Sequence, residues 1–282
     1  MSLLEVRGVD VHYGPVQALR DVTLEVGEAE MVALIGANGA GKTTALRTIS
    51  GVLGPSSGEI WFAGERIDGL APYEVIERGA AHLPEGRELF ADMSVLDNLR
   101  LGHWTQRKSG KFKSKADEVM SHFPILAERS SQAAGTLSGG EQQMLGVARA
   151  LMSDPRLLIV DELSLGLAPK IVDQLFEILR AVNARGTSVL IVEQFVHMAL
   201  ANTNRAYALA KGEVVLEGTS ADLAGDPELM AVYLGESSGP SSGGANGARS
   251  PAQRTKRRAR PTGRETRNDR ARTRRAPNVE VE

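Results

Sequence analysis

The sequence predicts an α/β protein built on a mostly parallel sheet, with a group of helices inserted in the middle of the chain. Three observations carry this prediction. Continuous apolar runs at 31–35 and 157–160 are typical of strands that are buried on both faces of a parallel sheet. A third run at 188–192 follows a helical stretch at about 170–184, which gives β-α-β alternation. From about 94 to 153 the strand signal fades and helical patterns replace it.

The N-terminal 35 residues predict strands. Val22, Leu24 and Val26 alternate with polar neighbours, which suits a strand with one buried face. The other elements predicted in chain order are a helix from Lys42 to about Leu53, a strand at 58–62, a helix from Pro72 to near Gly79, helices at 94–101, 113–123 and 139–153, a hairpin turn at 211–213 and a closing helix from Pro227 to Leu234.

Charge divides the chain into an acidic body and a basic tail. The whole chain has 33 Lys and Arg against 35 Asp and Glu. Residues 236–282 hold 12 of the basic and 5 of the acidic groups, a balance of +7, so residues 1–235 carry −9. The tail has no Leu, Ile, Met or aromatic residue and cannot bury enough surface to offset the entropy of ordering. We therefore predict one folded domain over 1–235 and a disordered basic tail over 236–282.

Composition also excludes several classes of protein. With 0 Cys, the chain has no disulfide framework, cysteine nucleophile or thiolate metal site. No stretch approaches the roughly 18 uninterrupted apolar residues that a membrane span needs. The N-terminus lacks the basic start and apolar run of a signal peptide. These features predict a cytosolic body that is still able to bind a membrane protein.

A phosphate-binding loop is predicted where the buried run at 31–35 meets a helix, because the sequence there matches G-x-x-x-x-G-K-[ST]. Glycines let the backbone turn tightly and aim N–H groups at phosphate oxygens, and the helix adds its positive N-terminal end. Lys42 should reach the β- and γ-phosphates, and Thr43 should ligate Mg²⁺. A random chain of this length would match roughly one time in a hundred at average residue usage. The candidate nucleotide-binding residues are Gly36, Ala37, Asn38, Gly39, Ala40, Gly41, Lys42, Thr43 and Thr44.

A pair of carboxylates follows the buried run at 157–160. In enzymes with a phosphate-binding loop, an acidic residue at this position holds Mg²⁺, usually through water. Asp161 fits that role, and Glu162 would then activate the attacking water as general base. An acidic pair at a strand end is common by itself, and the phosphate-binding loop is what favours the catalytic interpretation.

A third segment, Leu137–Gln143, precedes a helical pattern. Ser138 suits a helix N-cap, and Gly139 and Gly140 leave the N-terminus of the helix open to an anion. Taken alone, this segment fits an ordinary capped helix better than an anion site.

Together these segments resemble the ATP-binding cassette family, whose signature is LSGGQ or LSGGE, over roughly residues 3–235. The resemblance implies a nucleotide-hydrolysing fold with a mostly parallel core sheet, an antiparallel N-terminal β-subdomain and a helical subdomain at about 94–153. It also implies ATP and Mg²⁺ as cofactors. Tyr13 lies where the family has an aromatic residue that stacks on adenine.

The segments 83–90, 164–169 and 192–194 are similar to the shorter ATPase subunit of branched-chain amino acid importers. Glu85 and Gln194 occupy positions where most cassettes have Gln and His, and this subfamily is similar in both. Leu163 and Phe195 depart even from the subfamily, which usually has Pro and Asn there. Neither departure removes a group that takes part in the chemistry. Leu163 could alter the loop that follows the catalytic Glu, and so change the rate of ATP turnover.

The resemblance implies a head-to-tail dimer with ATP between the subunits. One subunit would supply the loop at 36–44, Asp161 and Glu162, and the other would supply Ser138, Gly139 and Gly140 to the γ-phosphate. Catalytic roles fall to Glu162, Gln194 and Lys42, with Gln194 as a hydrogen-bonding group because an amide cannot accept a net proton. Glu85 would begin the loop to the helical subdomain, next to the nucleotide and its metal.

The leading interpretation is therefore a peripheral ATPase subunit at the cytoplasmic face of the inner membrane. Its expected partners are two transmembrane permease subunits, a second and different ATPase subunit and, indirectly, an extracytoplasmic solute-binding protein. The solute would be a branched-chain amino acid or a related small solute such as urea or amides. Residues of about 85–100 would receive a helix of the membrane subunit. Arg87, Leu89 and Phe90 are candidate contacts, although a solvated Arg beside two core residues fits equally well.

Two other functions remain open at this point. A soluble cassette that acts on ribosomes or nucleic acid is suggested by the basic tail, but such proteins usually carry tandem cassettes or a long coiled coil, and this chain has neither. A lipid-exporter subunit is disfavoured by the segments 83–90 and 192–194. The arginine clusters at 256–260 and 270–275 could bind anionic lipid headgroups, but a solubilising tail without a partner explains the composition more simply.

Overall fold

A computed structural model describes residues 2–86, 88–227 and 229. The basic tail at 236–282, Arg87 and most of the closing helix predicted from Pro227 to Leu234 lie outside the described residues. Within the described part of the chain, no helix is long and apolar enough to cross a membrane.

A four-stranded antiparallel sheet forms the N-terminal part of the fold. Its strands, β1 (Ser2–Tyr13), β2 (Val16–Gly27), β4 (Ser57–Phe62) and β5 (Glu65–Arg66), lie in the order β2-β1-β4-β5. The alternation at Val22, Leu24 and Val26 is confirmed, since these side chains are buried and their neighbours are not. The two-residue strand β5 has no counterpart in the sequence-based prediction.

The second sheet has six strands in the order β10-β9-β3-β8-β7-β6. Their bounds are β3 (Met31–Ile35), β6 (Ala80–Leu83), β7 (Leu157–Asp161), β8 (Ser188–Glu193), β9 (Arg205–Ala210) and β10 (Glu213–Thr219). All neighbours are parallel except β9 and β10, which form the predicted hairpin. The mostly parallel core sheet is confirmed, and every residue of β3, β7 and β8 is buried.

Helices cover the parallel sheet and form the central insert. The insert contains α3 (Val95–Gly102), α4 (Phe112–Ser121), α5 (Pro124–Glu128) and α6 (Gly139–Leu151), with short 3₁₀ turns at Trp104–Ser109 and Ala134–Thr136. The remaining helices are α1 (Lys42–Ile49), α2 (Pro72–Glu77), α7 (Pro169–Asn183), α8 (Val196–Asn202) and α9 (Ser220–Leu223). The predicted end of α1 near Leu53 is wrong, because Gly51 takes φ +76° and turns the chain after Ser50.

The parallel sheet separates two hydrophobic cores. One core lies between this sheet and the helices of the insert together with α7 and α8. The other lies between it and the antiparallel sheet, with α1 alongside. Because neighbouring side chains on a strand point to opposite faces, β3 contributes Ala33 to the first core and Leu34 to the second. A sheet held on both faces fixes the positions of its strand ends, and the loops that follow β3, β7 and β8 all leave from one edge.

Candidate active site

The loop at 36–41 connects the end of β3 to the start of α1. Gly36 leaves no room for a side chain, since a Cβ there would overlap the carbonyl oxygen of Leu209 on β9. Gly41 takes φ +110° at the N-cap of α1, a conformation that a larger residue would adopt only with strain. The two glycines therefore let the loop curve closely over the sheet edge before Lys42 opens the helix.

Lys42 is buried, with 5% of its surface exposed. Its Nζ donates hydrogen bonds to the carbonyl oxygens of Gly36 (2.9 Å) and Ala37 (3.2 Å). Burial lowers the pKa of Lys42, and the nearby carboxylates of Glu162 and Asp161 oppose that shift. The loop thus holds a cation inside its curve, where phosphate oxygens would meet it.

Asp161 ends β7 with only 1% of its surface exposed, and neither carboxylate oxygen has a hydrogen-bond partner of good geometry. Burial raises its pKa to about 6, and Glu162 and Glu85 add to the rise. The Thr43 hydroxyl and Lys42 act in the opposite direction.

These residues fit a magnesium ion. A buried acceptor without a partner is costly unless a cation or water satisfies it. Among the described residues, no group of three or more His, Asp or Glu side chains forms a closed metal cage. Mg²⁺ does not need one, because it is commonly held by one or two carboxylates together with water and substrate phosphates.

Glu162 follows Asp161 and takes φ +48°, a left-handed conformation that is uncommon for a residue with a side chain. Its backbone N–H donates to the carbonyl oxygen of Val192 on β8 at 2.9 Å. Leu163 is fully buried in the core that contains the helices of the insert. The residue that departs from the expected Pro is therefore an apolar anchor of the loop that begins at Glu162.

The same loop has a polar anchor that the sequence analysis missed. Glu193, the last residue of β8, accepts hydrogen bonds from the Ser164 backbone N–H (3.2 Å, Oε1) and from the Ser164 hydroxyl (2.6 Å, Oε2). Glu193 is 1% exposed and Ser164 6% exposed. Burial raises the pKa of Glu193 to about 7; the bonds from Ser164 oppose the rise and the Glu162 charge adds to it.

These elements border a cleft of about 750 Å³. The volume lies within the usual range for small-molecule sites. Nine residues that the sequence singled out line it: Asn38, Gly39, Gly41, Lys42, Thr43, Thr44, Glu85, Glu162 and Gln194. The lining that was not anticipated consists of Val16, Gln17, Ala18, Leu165 and Lys211. Lys211 adds a second cation from the β9–β10 turn, and no local sequence signal indicates that this turn reaches the cleft.

The other candidate residues lie outside the cleft lining. Gly36 and Ala37 accept hydrogen bonds from Lys42 through their carbonyl oxygens. The side chains of Ala40, within the loop, and of Asp161 are buried. Tyr13, at the end of β1, is 45% exposed, and its partner across the hairpin is the cleft residue Val16. A ring at this position can lie over a base that projects from the cleft.

Ser138, Gly139 and Gly140 begin α6 and do not line the cleft of their own chain. Ser138 forms a capping box with Glu141: the Ser138 N–H donates to Glu141 Oε2 (2.8 Å), and the Glu141 N–H donates to Ser138 Oγ (3.4 Å). Ser138 and Gly139 are exposed. The cap and the two glycines thus present a helix N-terminus at the surface, as the anion-site interpretation requires.

The segment between Glu85 and α3 is tied to two helices. Asn98 on α3 is fully buried; its Oδ1 accepts from the Phe90 N–H (3.1 Å) and its Nδ2 donates to the carbonyl oxygens of Phe90 and Ser94 (both 3.0 Å). Arg149 on α6 donates to the Glu88 carbonyl oxygen (2.7 Å) and lies over the Phe90 ring.

Of the candidate partner contacts in this segment, Phe90 is 52% exposed, whereas Leu89 packs against the core. Arg87 lies outside the described residues. Phe90 therefore exposes an aromatic ring to solvent in the described part of this segment.

Comparison with known proteins identifies the family of this chain. The family described as ABC transporter matches residues 19–164. The chain is 45% identical over 233 residues, 83% of this chain and 100% of the relative, to the high-affinity branched-chain amino acid transport ATP-binding protein BraG of Pseudomonas aeruginosa. It is 34% identical over 222 residues, 78% of this chain and 94% of the relative, to the probable branched-chain amino acid transport ATP-binding protein LivF of Archaeoglobus fulgidus.

A solved structure described as the ADP conformation of an ATP-binding cassette of an ABC transporter superposes with a TM-score of 0.76 at 25% identity, covering 84% of this chain and 100% of that one. The fold and the cleft define an ATPase cassette, and the chain belongs to the ABC transporter family. The relatives are transport subunits, which does not support the alternative of a soluble cassette acting on ribosomes or nucleic acid.

Proposed function

We propose that this chain is the ATP-hydrolysing peripheral subunit of an importer for branched-chain amino acids, or for a related small solute such as urea or amides. The observation that carries the proposal is the cleft in which Lys42, Glu162 and Gln194 meet around one space. The transport function of relatives that match over nearly their whole length supports the choice of solute.

In this proposal, the backbone N–H groups of the loop at 36–41 and the Lys42 ammonium bind the phosphates of ATP. Asp161 and Thr43, with Glu85 nearby, are the residues that would hold Mg²⁺. When bound, Mg²⁺ would neutralise charge on the β- and γ-phosphates. Because catalysis of this kind is mainly positioning and electrostatic stabilisation, the rigid strand ends that carry these groups are a substantial part of the machinery.

Glu162 accepts the proton of the attacking water in the proposed reaction. It is half-buried on the cleft wall, and its backbone is fixed to β8. Gln194, the residue after β8, hydrogen-bonds the γ-phosphate or the same water. Tyr13 stacks on the adenine from the end of β1. These roles give each candidate residue a function that its position permits.

A second ATPase subunit completes the site in this proposal. Ser138, Gly139 and Gly140 lie on α6, outside the cleft of their own chain, and the N-terminus that they form is exposed. A head-to-tail dimer would bring the same segment of one subunit to the γ-phosphate held by the other. We propose a different ATPase as the partner, together with two membrane permeases and, indirectly, an extracytoplasmic solute-binding protein.

The proposed location is the cytoplasmic face of the inner membrane, with the permease bound near Phe90. The exposed Phe90 ring is joined through Arg149 to α6, the helix that begins with Ser138. A movement of α6 on ATP binding would therefore displace the segment that faces the permease.

The experiment combines uptake with hydrolysis. A strain that lacks this gene and has no redundant leucine system is complemented with the wild-type gene or with Glu162→Gln. We expect leucine uptake to return only with the wild type. We expect the purified transporter that contains the variant to hydrolyse ATP at least about 100-fold more slowly, because the general base is lost. Uptake of an unrelated sugar serves as the control. Unchanged leucine uptake in the deletion strain rejects a branched-chain amino acid as the solute, and undiminished hydrolysis by Glu162→Gln rejects the proposed base.

A further inference from the structure

The loop from Glu162 to Ala168 is held at three consecutive residues. The Glu162 N–H is bound to the carbonyl oxygen of Val192, the Leu163 side chain is fully buried, and Ser164 is bound twice by Glu193. Only the third anchor uses an ionisable group, the Glu193 carboxyl group. The proposed mechanism of ATP hydrolysis gives that group no role.

A buried carboxyl group at the end of a core strand is unfavourable unless its contacts repay the loss of water. Glu193 accepts two hydrogen bonds from a single residue, Ser164, one on each carboxyl oxygen, and the backbone N–H of Gln194 adds a further hydrogen bond. Two bonds to the N–H and hydroxyl of a single residue fix the direction of the backbone as well as its distance. A structural link between β7 and β8 would not need this, because the two strands are already paired from Leu157–Ser188 to Asp161–Val192.

Glu162 needs such a constraint. Its φ of +48° is a strained conformation for a residue with a side chain, and it persists only where the surroundings enforce it. The hydrogen bond to Val192 holds Glu162 on its N-terminal side, and the Ser164–Glu193 pair holds the loop two residues later. Glu193 also directly precedes Gln194, so one residue connects the two side chains that act at the γ-phosphate.

We propose that Glu193 is a positioning residue for ATP hydrolysis, which holds Glu162 in its reactive orientation through the two hydrogen bonds to Ser164. This inference rests on the proposed role of Glu162 as general base. Glu193 does not line the cleft, so its contribution falls on the chemical step and not on the binding of ATP.

The test compares kcat and KM for ATP in four single variants of the chain, each measured in the assembled transporter. Glu193→Ala removes both acceptors, and we expect kcat to fall about 10–100-fold with KM changed less than about twofold, because a small displacement of a catalytic group has effects of this size. Ser164→Ala removes only the hydroxyl donor and should give a smaller loss of the same kind. Glu193→Gln keeps one acceptor and adds an N–H group, so we expect kcat to recover to within about threefold of the wild type.

The matched control is Ser188→Ala, at the opposite end of the same strand. Ser188 is fully buried, and its hydroxyl donates to the Gly27 carbonyl oxygen at 2.9 Å. We expect this variant to lower the midpoint of thermal unfolding without lowering kcat. If Glu193→Ala is too unstable to purify, Ser164→Ala and Glu193→Gln carry the comparison. For each variant, the fall in kcat is compared with the fall in the midpoint of thermal unfolding. If the two falls stand in the same ratio in Ser188→Ala and in Ser164→Ala, the proposal is overturned.

A double variant separates this inference from the function on which it rests. If Glu193 acts through Glu162, adding Glu193→Ala to Glu162→Gln slows hydrolysis no further, because the group being positioned is already absent. Additive losses show that Glu193 acts elsewhere and reject the positioning role. Normal hydrolysis by Glu162→Gln alone rejects the base itself, whereas a strong defect in Glu162→Gln with none in Glu193→Ala rejects only the role of Glu193.

Discussion

Lys42 and Asp161 are buried neighbours whose charges oppose the effect of their surroundings. Burial lowers the pKa of Lys42 and raises that of Asp161, so each group is driven towards its neutral form. The attraction between the ammonium and the carboxylate acts against both shifts. Bound nucleotide would give Lys42 a further anionic partner, and a bound cation would do the same for Asp161.

Replacing Asp161 with Asn tests whether this carboxylate holds the cation. The amide has nearly the same shape but cannot supply an anionic oxygen to a cation. We expect the affinity for ATP in EDTA to match that of the wild type, and the affinity in the presence of Mg²⁺ to fall about tenfold, the lower end of the effects seen when a metal site is perturbed. Titration of a fluorescent ATP analogue measures both values. A variant that still responds to Mg²⁺ like the wild type shows that Asp161 does not hold the ion.

Gly36 should not accept even the smallest side chain. In Gly36→Ala the new Cβ would overlap the carbonyl oxygen of Leu209, and neither backbone can move without disturbing the β3–β9 pairing. We expect a loss of about 1–3 kcal/mol in the free energy of unfolding, as for other forced insertions into packed structure, and weaker ATP binding. Chemical denaturation measures the first effect. Gly54→Ala is the control, because nothing lies within 4 Å of a Cβ there; equal stability of the two variants contradicts the argument.

Two serine N-caps allow the effect of Ser138 on protein stability to be distinguished from its effect on ATP hydrolysis. Ser138 caps α6 and Ser94 caps α3, each by accepting a hydrogen bond from the backbone N–H three residues later. We expect Ser138→Ala and Ser94→Ala each to lower the free energy of unfolding by about 1 kcal/mol.

Their effects on ATP hydrolysis should differ in the assembled transporter. Only Ser138→Ala should reduce the rate, by about tenfold, since its hydroxyl is proposed to act on the γ-phosphate of the other subunit. Steady-state hydrolysis by the two assembled variants makes the comparison. Equal rates for both would mean that Ser138 serves only as a cap.

His82 should make stability depend on pH. Its Nδ1 lies 3.1 Å from Ser50 Oγ, and burial, with a smaller contribution from Arg47, lowers its pKa from 6.5 to about 4. Between these two values the unfolded chain binds a proton that the folded chain does not. The contribution of His82 is therefore complete above about pH 6.5 and is lost as the pH falls towards 4.

The loss should amount to on the order of 2–3 kcal/mol in the free energy of unfolding. Urea denaturation at a series of pH values measures it. His82→Asn cannot titrate in this range, so its curve should lack this component. A wild-type curve that falls no more steeply than that of the variant between pH 6.5 and 4 excludes the effect.

Strongly patterned elements were predictable from the sequence. The buried runs of β3, β7 and β8 were identified correctly because a strand that is covered on both faces needs an uninterrupted apolar segment. Weaker elements were missed. β6 contains only Ala80–Leu83, and α8 begins at Val196, directly after an exposed Phe195. Their conformations depend on β7 and on the core beneath them, and neither has a distinctive local pattern.

The residues of the candidate site also differ in how far the local sequence reveals them. Residues that act through local backbone geometry, such as those at 36–44, are visible as a motif. The Ser164–Glu193 pair is not, because the two residues are 29 positions apart and meet only when the ends of β7 and β8 lie side by side. Lys211 reaches the cleft for a similar reason, through the pairing of β9 with β3.

The order of strands in the parallel sheet has a consequence for how the chain matures on the ribosome. The strand Met31–Ile35 leaves the ribosome early, yet both of its neighbours in the sheet, at 188–193 and 205–210, are made much later. At about 5–20 residues per second, the interval from residue 35 to residue 210 is roughly 10–35 s. During that time a fully apolar segment has no partner and is exposed to aggregation. The cleft is also incomplete during that time, because its lining includes Glu162 and Gln194, which are made after most of the chain.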